Sequence, residues 1–176
     1  MILNFKQQDN LKLFKVEFMI KLVCVGKIKE KPLQACIDEY KKRLGAYTKV
    51  EIIEVSDEPI PNIHSEKIDE QIKTIEGDKI LSKIKDKDYV VLLDLAGKNY
   101  SSEQLAEQLE RIMTYESSTI VFVIGGSLGL SKKVIQRANM RWKISDCTFP
   151  HQLCRLIVCE QVYRAYTIIN HLPYHK

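Results

Sequence analysis

Several things are scarce in this chain, and each scarcity removes a class of function. Its 176 residues hold 5 prolines, 7 glycines and 1 tryptophan, with neither internal repeat nor low-complexity tract, so nothing in it reads as a repeat array or a linker. No apolar run is long enough to cross a bilayer. The opening stretch, Met1 to Phe18, is broken by Lys6, Asp9, Lys12, Lys15 and Glu17, which excludes a transmembrane span and a signal-peptide core. No Cys-x-x-Cys knuckle occurs. The cysteines Cys24, Cys36, Cys147, Cys154 and Cys159 are odd in number, sit mostly in apolar runs and come without a secretory leader, so they read as reduced, buried thiols of a cytoplasmic protein. Cys147, His151, Cys154 and Cys159 lack the spacing of a zinc site, and no metal is expected. Lys and Arg outnumber Asp and Glu by 27 to 23, and a formal charge of +4 permits a nucleic-acid partner through local clustering without demanding one.

What is present is one domain's worth of alternating strand and helix. With 45% hydrophobic and 28% charged residues, the chain can bury a sizeable core. Met19 precedes the strand-like Ile20 to Gly26 and marks the start of a single domain, 19–176, with residues 1–18 as an extension ahead of it. Pro32 suits a first helical turn, Leu33, Ile37, Tyr40 and Leu44 recur at helical spacing, and Gly45 closes the element. Val50 to Val55 reads as a strand and Ser56 to Ser65 as a surface loop; Ile68, Ile72, Ile75 and Ile84 mark one helix face. Tyr89 to Leu95 is a buried strand. Ser101 and Gln104 have capping-box spacing ahead of Leu105, Leu109 and Ile112, and Thr119 to Ile124 is another apolar strand. Two apolar strands joined by a helix make a βαβ unit, so the expected class is α/β with a mostly parallel sheet covered by helices on both faces.

The run Gly125-Gly126-Ser127-Leu128-Gly129 leaves the carboxyl end of a strand and leads to Ser131, a good N-cap for a helix near Lys132. Ligands in open α/β sheets gather at that edge. The run matches neither Gly-x-Gly-x-x-Gly nor a Gly-Lys-Ser/Thr phosphate loop; close backbone approach to a flat ligand and a simple tight turn explain it equally well. Pro150 is placed at N1 of a helix reaching about Asn170, apolar around most of its circumference, which implies burial in the domain or against a second subunit. Glu160 and Arg164 form an i, i+4 pair on one face of it, and Arg155 points roughly the opposite way. The chain then ends in His171-Leu172-Pro173-Tyr174-His175-Lys176, a phenol, an imidazole and a cation where a terminus is ordinarily bland.

Taken together, Gly26-Lys27-Ile28-Lys29-Glu30-Lys31, Val123 to Gly129, Thr148-Phe149-Pro150-His151-Gln152, Glu160 to Ala165 and the terminal Tyr174-His175-Lys176 resemble the RlmH family, the small ribosomal large-subunit RNA pseudouridine methyltransferases of the SPOUT superfamily. The resemblance runs from Met19 to Lys176 and does not include the leader. It implies a homodimer whose C-terminal segment threads a trefoil knot, S-adenosyl-L-methionine as cofactor, and methylation of N3 of a pseudouridine in 23S ribosomal RNA on assembled ribosomes, with no DNA or membrane partner. It also implies that Leu93, Gly125 and Ile144, Ser145, Asp146, Cys147, Thr148 and Phe149 line the cofactor site. His175 is then the base or the group that orients the imide, Tyr174 stacks on or hydrogen-bonds the target, and Glu160, Arg155 and Arg164 complete the site, the arginines as anchors for phosphate or carbonyl groups. Lys27, Lys29, Lys31, Lys132, Lys133, Arg137 and Arg141 are the cations available to follow phosphates. A non-enzymatic ribosome- or RNA-binding protein with the same fold is the other reading, separated by titration with S-adenosylmethionine.

Overall fold

A computed structural model describes residues 17–61 and 65–176; the proposed extension lies almost wholly outside the described residues. The elements run β1 (Met19–Val25), α1 (Lys31–Leu44), β2 (Lys49–Val55), α2 (Glu66–Leu81), β3 (Tyr89–Asn99), α3 (Ser102–Tyr115), β4 (Thr119–Ile124), α4 (Lys132–Arg137), β5 (Met140–Lys143) and α5 (His151–Ile169). The five strands form one sheet in the order β2-β1-β4-β3-β5, and every pairing is parallel.

Parallel register explains why the strands are apolar throughout. Leu22 lies beside Phe122 and Val23 beside Val123, so alternate residues point to opposite faces. On one face Ile20, Leu22, Cys24, Val91 and Phe122 meet α1, α3 and α5; on the other Val23, Val25, Val90, Leu92 and Val123 meet Ile80 of α2 and Val134 of α4. Both faces are covered, as expected, and the layers run helix, sheet, helix.

Local chemistry fixes the helix starts. Ser101 accepts from the Gln104 N–H while the Gln104 side chain accepts from the Ser101 N–H, completing the capping box. Ser65 and Ser131 cap α2 and α4, and Pro32 stands in the first turn of α1. Pro150 is the N-cap of α5 rather than its first helical residue. In α2 the buried positions are Ile72, Glu76, Gly77 and Ile80, while Ile75 is 46% exposed and Ile84 lies past the helix end. The expected isoleucine face is therefore displaced, and a carboxyl occupies its middle.

β3 runs four residues beyond Leu95. Leu93 and Lys98 both pair with Trp142, so residues 94–97 loop out over β5. A Cβ on Gly97 would stand 2.6 Å from the Arg141 carbonyl oxygen, so only glycine permits that approach. The thiols are all free, but Cys36 and Cys147 are exposed, because they lie on the outer face of α1 and in the loop after β5.

Candidate functional site

The carboxyl ends of β3, β4 and β5 surround a cavity of about 630 Å³, within the range of small-molecule sites. Gly126 and Gly129 close the turn after β4, with the Gly129 N–H bonded to the Gly126 carbonyl at 3.1 Å. Gly129 sits at φ 89, a backbone state that other L-residues rarely adopt. Across the cavity, Asn99 donates to the Lys143 and Ile144 carbonyls at 3.1 and 3.2 Å, which pins the start of the segment between β5 and α5. The Ser145 hydroxyl accepts from the Cys147 N–H at 3.0 Å and bends that segment into a local turn.

Seven of the eight residues anticipated around a cofactor line this one cavity: Leu93, Gly125, Ile144, Ser145, Cys147, Thr148 and Phe149. Asp146 does not. Its side chain is 93% exposed and pairs with Lys143 at 2.7 Å, which holds its carboxyl below the usual range. Leu95, Ile124, Trp142, His151 and Cys154 add wall that sequence reasoning missed. Apolar surfaces dominate. Asp94, the rim carboxylate, is held by Arg141 at 2.6 Å, and burial followed by the nearby Arg155 charge lowers the His151 pKa, so its imidazole is neutral at pH 7.

Arg155 is placed differently from expectation. It is completely buried, donating to the Val25 and Gly26 carbonyls at 2.9 and 2.8 Å and to Glu54 at 2.8 Å. Glu54 in turn accepts from the Ile28 N–H at 3.0 Å, and Gln152 accepts from the Lys29 N–H at the same distance. The guanidinium thus ties α5 to the ends of β1 and β2 and is closed to phosphate; its role is to hold the Lys27, Lys29 and Lys31 loop, whose lysines are exposed. Arg137 is also committed, to the carbonyls of Lys85, Asp86 and Asp88, as is Lys133, to Asp78.

Glu160, Arg164, Tyr174 and His175 come together, but none of them lines the cavity. Glu160 and Arg164 lie 9 and 13 residues along α5 from His151, an axial distance of about 14 to 20 Å. The tail reaches them through the helix end: His171 adopts φ 54, its N–H bonds the Ile168 carbonyl, and the Leu172 N–H bonds the Thr167 carbonyl at 2.8 Å. This is a Schellman turn, after which Pro173 cannot continue the helix. The chain therefore folds back, Tyr174 bonding Glu160 at 3.2 Å and lying 3.3 Å from the Tyr40 hydroxyl. Arg164 pairs with Glu160, stands 4.8 Å from the Tyr174 ring centre, and donates to His175 Nδ1 at 3.2 Å. A guanidinium has only donors, so Nδ1 accepts and the imidazole proton sits on Nε2, 2.7 Å from Glu103. Both ring nitrogens are engaged. Burial, then the Tyr40 and Glu160 oxygens, push the Tyr174 phenol well above its ordinary pKa, so it stays protonated.

A parallel α/β sheet with a glycine turn at its carboxyl edge and an apolar cavity behind it has its ligand site at the strand ends. Comparison with known proteins gives the class: residues 18–175 match the family described as "Predicted SPOUT methyltransferase". Ribosomal RNA large subunit methyltransferase H of Limosilactobacillus reuteri is 52% identical over 157 residues, 89% of this chain and 99% of that protein. Its counterpart in Clostridium novyi is 53% identical, and that in Limosilactobacillus fermentum 50%, each over 157 residues with the same coverage. The chain belongs to the SPOUT methyltransferases and, within them, to the RlmH family.

Proposed function

We propose that this protein transfers a methyl group from S-adenosyl-L-methionine to N3 of a pseudouridine in 23S ribosomal RNA, acting in the cytoplasm on assembled ribosomes. The observation that carries this reading is the cavity at the strand ends, lined by the residues that the family resemblance assigns to the cofactor. The residues fit that group: Leu93, Leu95, Ile144 and Phe149 offer apolar cover for an adenine, and the backbone of 144–149 offers donors and acceptors for its edge. Bound there, S-adenosylmethionine supplies a methyl group activated by a sulfonium. The protein's own work is to exclude water, align the target nitrogen and remove its proton.

The functional unit in this reading is a homodimer of the 19–176 domain, with the segment after β5 threaded as a trefoil knot. Two observations support the dimer. Leu153, Leu156, Ile157, Ile168 and Ile169 leave α5 only half-buried in one chain, and the tail residues stand away from their own chain's cavity. A second subunit covers the helix and lets one chain's Tyr174, His175, Glu160 and Arg164 hold RNA over its partner's cofactor. Lys27, Lys29 and Lys31 then meet phosphates.

The test is transfer of labelled methyl to ribosomes lacking the modification, followed by mapping of the nucleotide. Pseudouridine exposes a ring N–H that uridine lacks, and leaving its protein partner unpaired costs about 1 to 3 kcal/mol. The rate should fall by roughly 5- to 150-fold on ribosomes that carry uridine there. Equal rates on the two substrates would overturn the pseudouridine preference.

A further inference from the structure

A second cavity, of about 290 Å³, lies between the ends of β1 and β4, lined by Val25, Gly26, Asp57, Pro59, Ile72, Glu76, Leu128 and His151 among others. It adjoins the first, and Gly126, Ser127 and His151 line both. Chain direction makes this place special. From β1 the chain leaves through α1, over one sheet face, toward β2; from β4 it leaves through α4, over the other face, toward β5. Adjacent strands whose connections diverge in this way open a crevice where ligands bind. A cavity of about 150 Å³ admits benzene, so this one has room for a single six-membered base.

Glu76 stands on its wall at a position the periodicity of α2 reserves for an apolar residue, and it is 5% exposed. One carboxylate oxygen accepts from the Glu58 N–H at 3.0 Å, which fixes the side chain. The other, Oε2, takes no hydrogen bond among the described residues and lies against Gly126, 2.8 Å from where a Cβ would stand. Glu76 thus lines the second cavity beside Gly126, which lines both. The other basic candidate, His175, has its lone pair engaged by Arg164.

Resting on the function proposed above, we propose that the second cavity receives the target pyrimidine and that Glu76 is the catalytic residue that takes its N3 proton. The proton passes from N3 to Oε2, the freed electron pair forms the bond to the methyl carbon, and the carbon–sulfur bond breaks with its electrons left on sulfur. Water then takes the proton from Glu76. The carboxyl is suited to this exchange because burial raises its pKa. The groups facing it are the Glu58 N–H and Lys79, which lower it, the Asp57 and Glu58 carboxylates, which raise it, and His151 across the cavity.

The experiment measures single-turnover methyl transfer on pseudouridine-containing ribosomes, alongside calorimetric titration with S-adenosylmethionine, for the parent and for Glu76→Gln. The amide keeps an oxygen for the Glu58 N–H. The expected result is a rate lower by about 100-fold or more, unchanged cofactor affinity, and loss of the acidic limb that the parent shows as its rate rises with pH to a plateau. Parental rates in Glu76→Gln, or a parent rate that is flat through the acidic range, overturn the assignment. The second measurement needs no variant, so it decides even if the substitution impairs folding. Failure of the parent to methylate pseudouridine at all would instead sink the underlying functional reading.

Discussion

The first turns of α5 and its last turns each carry an arginine, and the fold uses the two in opposite ways. Arg155 is sealed among carbonyl oxygens and Glu54 at the sheet edge, with 0% of its side chain exposed. Arg164, 25% exposed, sits in a polar cluster of Glu160, Tyr174 and His175 at the surface. A buried charge must be paired or it destabilises the fold, and Arg155 is paired through its two terminal nitrogens while its Nε has no partner among the described residues; charge at a surface cluster is free to trade partners for a ligand. One arginine therefore belongs to architecture, and its neighbour, two and a half turns on, is the one placed where a ligand can reach it.

The sharpest way to break that contrast is to remove each guanidinium in turn. Arg155→Met leaves the Val25 and Gly26 carbonyls and Glu54 without their donor and should lower stability by about 3 to 5 kcal/mol, read as the urea midpoint. Arg164→Met removes an ion pair at the surface and should cost under about 1 kcal/mol. Equal losses would show that the two sites are not energetically distinct.

Deletion of Tyr174 to Lys176 probes the surface cluster alone. The tail lies beyond the helix and contributes nothing to the buried core, so the melting temperature and cofactor affinity should barely change. Methyl transfer to ribosomes should fall by about 100-fold. Parental turnover in the truncated protein would make the tail a structural clasp only.

The same contrast marks what the sequence made legible. Elements with a local signal were readable: the Ser101 capping box, Pro32, Ser131 as a cap and the Glu160–Arg164 spacing all rest on contacts within a few residues. The tail's return was not, since it depends on His171 adopting a left-handed backbone that no residue type there announces. β5 was missed because Met140–Lys143 carries a strand of four residues with Arg141 and Lys143 in it, held mainly by its register with β3. The burial of Arg155 was also hidden, because a charged residue reads as exposed until the carbonyls it serves, well over a hundred residues earlier, are in place. One signal was available: a lone cation on an otherwise apolar helix face. In the cavity, the resemblance named seven wall residues but missed Leu95, Trp142 and His151, and Asp146 turned outward because Lys143 draws it there.

The cavity itself admits a milder test than either arginine. A Cβ on Gly125 would meet the Leu130 side chain at 3.0 Å and not open space, so Gly125→Val should deform the turn as well as the cavity. Ser145→Trp fills the cavity from a loop and is the cleaner variant. It should weaken S-adenosylmethionine binding by about 2 kcal/mol, roughly 30-fold, with the melting temperature held within a few degrees. Unchanged affinity would place the cofactor elsewhere.

The smallest effect concerns thiols, and it separates the cavity from the rest of the surface without any substitution. Cys147 is exposed and lines the cavity, Cys36 is exposed on α1 away from it, and Cys24 and Cys159 are buried with their pKa values pushed up to about 12. Thiolate, not thiol, is the form that alkylates, so the buried pair should stay inert and the exposed pair should react. Of the two exposed thiols, a ligand in the cavity covers Cys147 alone. At a cofactor concentration near five times its Kd, alkylation of Cys147 should slow by about sixfold, the inverse of the unbound fraction, while Cys36 labels at its original rate. Peptide mass spectrometry after timed iodoacetamide exposure reads both sites in one sample. Equal slowing at Cys36 would mean that the cofactor acts on the whole fold, and no slowing at Cys147 would mean that the wall segment 144–149 does not enclose it.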